Sequence, residues 1–128
     1  MDTLLKILGD RNRLKILRLL SIEELCVCEL EMLLELTQSN VSRHLSKMKN
    51  QGIITSIKDA QWIHYKISDD FMKDHSLLLG YLLSEFDKDE EFISTKDRLE
   101  KYQSSALDCT DIRSDIDSVK SKLYKCNC

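Results

Sequence analysis

The sequence predicts a mainly α-helical domain with a small β-hairpin, arranged as a helix-turn-helix followed by a wing. Three observations carry this expectation. Residues 24 to 52, ELCVCELEMLLELTQSNVSRHLSKMKNQG, read as a short helix, a turn and a second helix. After them the apolar period changes from helical to alternating, over residues rich in β-branched and aromatic side chains. A hydrophobic fraction of 42% with no proline and only three glycines suits a compact helical chain. At 128 residues it has the size of one small domain.

In chain order, residues 1 to 20 hold two helical pieces divided at Gly9 and Asp10, and Asp10 is the expected N-cap of the second. Leu4, Leu5, Leu8, Leu14, Leu17 and Leu20 supply the apolar faces. Lys6, Arg11, Arg13, Lys15 and Arg18 accompany them, so a membrane-surface helix competes with a core helix that has a solvated basic edge; the core helix needs fewer assumptions. Ser21 and Glu24 have capping-box spacing, which predicts a new helix starting there. The helix from Cys26 to Leu36 turns Val27, Leu30, Leu33 and Leu34 inward.

Thr37 then caps the second helix of the pair, in which Val41, Leu45 and Met48 recur at spacings of four and three. The opposite face carries Gln38, Ser39, Asn40, Ser42, Arg43, His44 and Lys47, side chains of the types that reach base edges and phosphates in a major groove. A plain helical hairpin with a solvated polar face would show the same pattern. Gly52 ends the helix, where a positive φ is needed. The whole-chain charge of -3 hides a basic stretch: residues 37 to 66 hold Arg43, Lys47, Lys49, Lys58 and Lys66 against Asp59 alone, a net +4.

Ile53 to Ile57, a polar tip at Lys58-Asp59-Ala60-Gln61, and Trp62 to Ile67 make the hairpin, and a hairpin directly after such a helix makes a winged helix. Ser68, Asp69 and Asp70 can cap a helix over residues 71 to 87 that is apolar nearly all round, which predicts burial on two sides and hence a homodimer. A two-fold dimer would place two reading helices about one DNA turn apart, on a palindrome. Residues 1–87 are thus the expected DNA-binding and dimerisation unit. Residues 88–128 are the expected helical extension, with an amphipathic helix over 110 to 124 near Cys109, Cys126 and Cys128. That extension is either a packed helix with a frayed end or a thiol-bearing arm.

No apolar run approaches the roughly 20 residues of a membrane span. Charges sit where a signal peptide would have its apolar core, so a cytoplasmic protein is expected. An odd five cysteines then read as thiols or metal ligands rather than a disulfide framework. No glycine-rich phosphate loop or organised Cys/His base pair supports an enzyme.

The strings LGDRNRLKILRLL (residues 8 to 20), ELCVCEL (24 to 30), QSNVSRHLSKMKNQGI (38 to 53) and QWIHYKIS (61 to 68) together resemble the ArsR/SmtB family of metal-responsive winged-helix repressors, and in particular its arsenical-resistance branch. The resemblance covers about half the chain. Arg11 stands where that family often has proline, Glu35 where it often has a turn glycine, and Asp59-Ala60-Gln61 where its wing carries Gly-Arg or Gly-Lys. Glu31 occupies the position of a third cysteine in some relatives.

The resemblance implies a dimeric repressor of double-stranded operator DNA, released by As(III) or Sb(III) and needing no organic cofactor. Its metal ligands would be Cys26 and Cys28, soft thiolates that select thiophilic ions; both could instead be small buried apolar residues. Cd(II) or Pb(II) sensing, or thiol-based redox sensing, are the alternatives. A pyramidal As(III) site would take a third thiolate, from Cys109, Cys126 or Cys128, from an outside thiol, or not at all. Asp74 and His75 are adjacent and no matching pair comes after them, so zinc is not expected there. In a regular helix positions 26 and 28 lie about 200° apart, so the expectation is that shared ligation must unwind or distort the first turn.

Overall fold

The computed structural model describes residues 2–105, 107–108 and 111–112. Two helices, α1 (Asp2–Leu8) and α2 (Arg11–Leu20), open the chain. The Asp10 carboxylate accepts the backbone N–H groups of Asn12 at 2.9 Å and Arg13 at 3.1 Å, two of the donors a helix start leaves unpaired. Ile16, Leu17, Leu19 and Leu20 are buried in the centre of the core.

Ser21 closes α2 instead of opening a helix, because its backbone N–H is still engaged by the Leu17 carbonyl at 2.9 Å. The expected Ser21–Glu24 capping box therefore does not form. The chain turns and runs extended through β1 (Leu25–Cys26), and α3 (Val27–Leu34) starts later and stops earlier than the expected 26 to 36. Cys26 is its N-cap, extended at φ -94 and ψ 170, and the Glu29 carboxylate accepts the Cys26 backbone N–H at 2.9 Å. The capping carboxylate is thus real but lies five residues further on.

Glu35 ends α3 in the left-handed region at φ 54, a conformation that costs a non-glycine residue about 1–2 kcal/mol. Helix α4 (Gln38–Asn50) comes next, capped by Thr37 Oγ1, which accepts the Asn40 N–H at 3.2 Å. Val41, Leu45 and Met48 are buried, and Gly52 leaves the helix at φ 78. Strands β2 (Ile54–Asp59) and β3 (Trp62–Ile67) pair antiparallel from Ile54↔Ile67 to Asp59↔Trp62. β1 pairs with the other edge of β3, giving a three-stranded sheet of order β1-β3-β2. Ser68 locks the end of β3 to the turn after α4 and to the Phe71 backbone: its hydroxyl accepts the Phe71 N–H at 2.9 Å and donates to the Gly52 carbonyl at 2.7 Å.

The helix expected over 71 to 87 is two helices, α5 (Asp69–Asp74) and α6 (Ser76–Phe86), broken at His75 (φ -127, ψ 37). Phe71, Leu79 and Phe86 face the core, whereas Met72, Leu77 and Tyr81 are exposed.

A further helix, α7 (Glu90–Ser104), lies across α2 and α3. Asp89 caps it by accepting the Glu91 N–H at 3.0 Å, and Leu99 and Tyr102 join the same core cluster as α2, α3 and α4. Ion pairs border the contact. Arg11 meets Asp89 at 2.7 Å and also Glu91, Lys15 meets Glu91, Arg18 meets Asp87, and Arg98 meets Glu35 at 3.4 Å. Arg18 is buried, but the exposed pairs among these stabilise little, so the buried side chains carry most of the docking. Two departures from the resembled pattern, Arg11 and Glu35, are both used here as partners of α7 or its cap. The helix expected over 110 to 124 lies outside the described residues apart from Asp111 and Ile112, as do Cys109, Cys126 and Cys128.

Candidate functional site

Helix α4 presents Gln38, Ser39, Ser42, Arg43 and Lys47 to solvent, with Asn40 half-buried beside them. Asn40 Oδ1 accepts a hydrogen bond from Arg43 Nη2 at 3.0 Å, so these two side chains are already held together at the front of the helix. Lys49 Nζ donates to Ser56 Oγ at 2.8 Å and ties the end of α4 to the wing. Lys58 is exposed at the wing tip.

His44 does not belong to this face. It is only 5% exposed, because it stands one turn from Val41 and Met48 on the side that packs against α2. Its Nδ1 lies 3.2 Å from Arg13 Nη1. Arginine can only donate, so Nδ1 is the acceptor and the ring is neutral with its proton on Nε2. Burial pushes the His44 pKa below its ordinary value; Asp10 opposes that, and Arg13, Arg43 and Lys47 add to it. Polarity alone places His44 among the DNA-facing residues in the sequence, and the packing against α2 overrides it.

The two front cysteines come together. Cys26 is 2% exposed and Cys28 7%, and their sulfurs lie 3.0 Å apart. The expectation that they point away from each other assumes a helical Cys26. Since Cys26 is the extended N-cap, its side chain swings to the Cys28 side, and no unwinding of the first turn is needed to bring the sulfurs together. Cys26 is disulfide-bonded, and not to Cys28, whose sulfur is well beyond the about 2.05 Å of an S–S bond.

Two further residues adjoin this pair that the sequence motifs do not single out. Glu29 Oε1 holds the Cys26 N–H, while its Oε2 accepts the Tyr102 hydroxyl of α7 at 2.6 Å. Burial, then the Glu29 hydrogen bond, hold the Tyr102 phenol proton far above its usual range, and Cys28 is close enough to contribute. The three-residue spacing of Glu29 after Cys26 is a signal that could have found it. Nothing local marks Tyr102. Among the described residues there is no group of three or more His, Cys, Asp or Glu that could hold a metal ion. His75 packs its ring against Phe71, 5.2 Å between centroids. No helix among the described residues is long and apolar enough to cross a membrane.

Residues 10–56 match the family described as "Bacterial regulatory protein, arsR family". The arsenical resistance operon repressor of Escherichia coli (strain K12) is 44% identical over 66 residues, 51% of this chain and 56% of that protein; this chain thus spans little more than half of that relative. The arsenical resistance operon repressor of Staphylococcus aureus is 34% identical over 82 residues, 61% of this chain and 79% of that protein. Among solved structures, reduced HlyU from Vibrio cholerae N16961 is 39% identical, with a TM-score of 0.54 over 62% of this chain and 84% of its own. The homodimeric winged helix-turn-helix DNA-binding domain Mb0332 from Mycobacterium bovis shares the fold at 21% identity, with a TM-score of 0.58 over 70% of this chain and 80% of its own. With helix-turn-helix, wing and front cysteines in this order, and with identity of this depth across most of the Staphylococcus aureus and Vibrio cholerae relatives, the chain belongs to the ArsR family of bacterial regulatory proteins, not to an enzyme family.

Proposed function

We propose that this chain is a dimeric repressor that holds operator DNA through α4 and the wing and lets go when Cys26 and Cys28 take a soft ion, As(III) or Sb(III). The observation that carries the reading is the buried pair of sulfurs 3.0 Å apart at the start of α3, on a residue that is also paired with β3 of the wing. Adjacent thiolates select thiophilic ions over hard ones. An ion that fixes both sulfurs biases the turn preceding α3, and α3 and β3 both lead to the DNA-reading surface. Gln38, Ser39, Asn40, Ser42, Arg43 and Lys47 form that surface. The names of the Escherichia coli and Staphylococcus aureus relatives favour arsenicals as the inducer.

Exposed Met72, Leu77 and Tyr81 on α5 and α6 supply an apolar face for the second subunit, and the Mycobacterium bovis neighbour is a homodimer. A two-fold dimer would read a palindromic operator. In this reading residues 1–87 bind DNA and dimerise, while α7, in the extension over residues 88–128, braces the sensor turn.

A duplex recovered by in vitro selection, titrated with the full chain under a phosphine reductant, tests the proposal. Addition of As(III) is expected to release the DNA, with Zn(II) ineffective. A second reading, thiol-based redox sensing, is favoured by the disulfide at Cys26. Release by peroxide together with indifference to As(III) in the reduced protein would replace the first reading with the second.

A further inference from the structure

The pair of sulfurs does not stand alone at the start of α3; a buried chain of hydrogen bonds connects it to α7. The Tyr102 hydroxyl donates to Glu29 Oε2 at 2.6 Å, and Glu29 Oε1 accepts the backbone N–H of Cys26 at 2.9 Å. All three residues are buried, so water does not substitute for any link. Glu29 sits at the third position of α3, where its carboxylate fixes the extended backbone of the N-cap residue. That backbone conformation is what swings Cys26 Sγ to within 3.0 Å of Cys28 Sγ. Tyr102 is in turn set by the docking of α7, through buried Leu99 and through Arg98, whose Nη1 donates to the Leu33 carbonyl at 3.2 Å.

We propose that Tyr102 is a positioning residue of the Cys26–Cys28 site: it orients the Glu29 carboxylate, which holds the Cys26 turn in the geometry that brings both sulfurs to one ion. The proposal rests on the reading of this pair as a soft-ion site. Residues that orient the ligands of a metal site commonly change affinity by about 10- to 100-fold when removed. The geometry makes Tyr102 act through Glu29, so its effect has to vanish once Glu29 is gone. A carboxamide at position 29 can still accept the Cys26 N–H through its one oxygen and donate through its NH2 to the Tyr102 hydroxyl oxygen, so Glu29→Gln is predicted to keep both links and most of the site's affinity for the ion.

The experiment measures the rate at which As(III) passes from the full-length, reduced protein to a dithiol competitor, followed by the arsenic that remains with the protein after rapid gel filtration. Tyr102→Phe, which removes only the hydroxyl, is expected to lose As(III) about 10-fold faster or more while its thermal transition shows a folded protein. Glu29→Ala is expected to do the same, and Tyr102→Phe in the Glu29→Ala background to add nothing further. Glu29→Gln is expected to stay close to the unmodified chain. An unchanged rate in folded Tyr102→Phe, or additive losses in the double variant, overturns the proposal. If Tyr102→Phe does not fold, the Glu29 pair decides: equal losses in Glu29→Gln and Glu29→Ala overturn it. A Cys26→Ser, Cys28→Ser protein that still takes As(III) would instead sink the reading of the site itself, and so keeps the two failures apart.

Discussion

Cys26 stands opposite His64 in the register of β1 and β3, so the first cysteine of the pair is bonded through the sheet to the returning strand of the wing. Any ion that repositions Cys26 Sγ therefore acts on two elements of the DNA-reading unit at once, α3 through the chain and the wing through β3. In the proposed switch, binding of ion and of DNA are linked, each weakening the other by the same factor. A coupling of about 1–3 kcal/mol reduces operator affinity by roughly 5- to 150-fold. Cys26→Ser and Cys28→Ser are each expected to keep operator binding and lose release by As(III). Release that persists in the double variant moves the sensor to the cysteines at 109, 126 or 128.

Arg43 is exposed and held by Asn40 Oδ1 at 3.0 Å, so it is partly ordered before DNA arrives. A base-edge contact by such a side chain is worth about 1–3 kcal/mol, and Arg43→Ala is expected to weaken operator binding by that amount in a folded, dimeric protein. Phosphate contacts from Lys47, Lys49 and Lys58 would make the affinity fall steeply with salt. Equal affinities of the two proteins in an anisotropy titration would take α4 out of the interface.

How far the sequence is readable depends on which forces set each element. Helix α4 and the wing are legible because their signals are local: a Thr37 cap, a stripe at Val41, Leu45 and Met48, and alternation after Gly52. Where β1 begins is not, because Leu25 and Cys26 are extended only by pairing with Tyr65 and His64, some forty residues away. The same long-range pairing turns Cys26 from a helical residue into a cap and brings its sulfur to Cys28. His44 is misread where polarity stands in for position; it lies one turn from Val41. Helix α7 escapes notice because only Phe92, Leu99 and Tyr102 mark its apolar stripe, and its docking partners are distant in sequence.

Leu99 is fully buried where α7 meets the core. Leu99→Ala removes this contact and leaves a cavity, which is expected to destabilise the whole domain by about 2–5 kcal/mol. Chemical denaturation should show one transition shifted to lower denaturant. A change confined to residues beyond 88, with the winged helix as stable as before, would mean that α7 is an appendage.

Leu77 is 90% exposed and Tyr81 62%, one turn apart on α6, an arrangement that water disfavours in a monomer. Placing a charge there with Leu77→Asp is expected to shift the chain to monomers in analytical ultracentrifugation and to cost operator affinity through loss of the second half-site. A dimer of undiminished stability locates the subunit interface elsewhere.

The contact between Arg13 Nη1 and His44 Nδ1, 3.2 Å, ties α4 to α2 only while the imidazole is neutral, since a protonated Nδ1 would face another donor. Burial lowers the His44 pKa from its ordinary 6.5, so the folded state binds this proton less readily than the unfolded chain. His44 therefore contributes stability above pH 6.5, and that contribution is lost as pH falls below 6.5 and through the lower folded-state pKa. Asp10, Asp89 and Glu91, all lowered, lose their contributions only under more acid conditions, below their ordinary 3.8, 3.8 and 4.5. Denaturation midpoints between about pH 5 and 8 should therefore fall on the acid side, and His44→Gln should flatten that fall while leaving the step near the carboxylate range intact. An equally steep loss in His44→Gln would assign the acid sensitivity to another group.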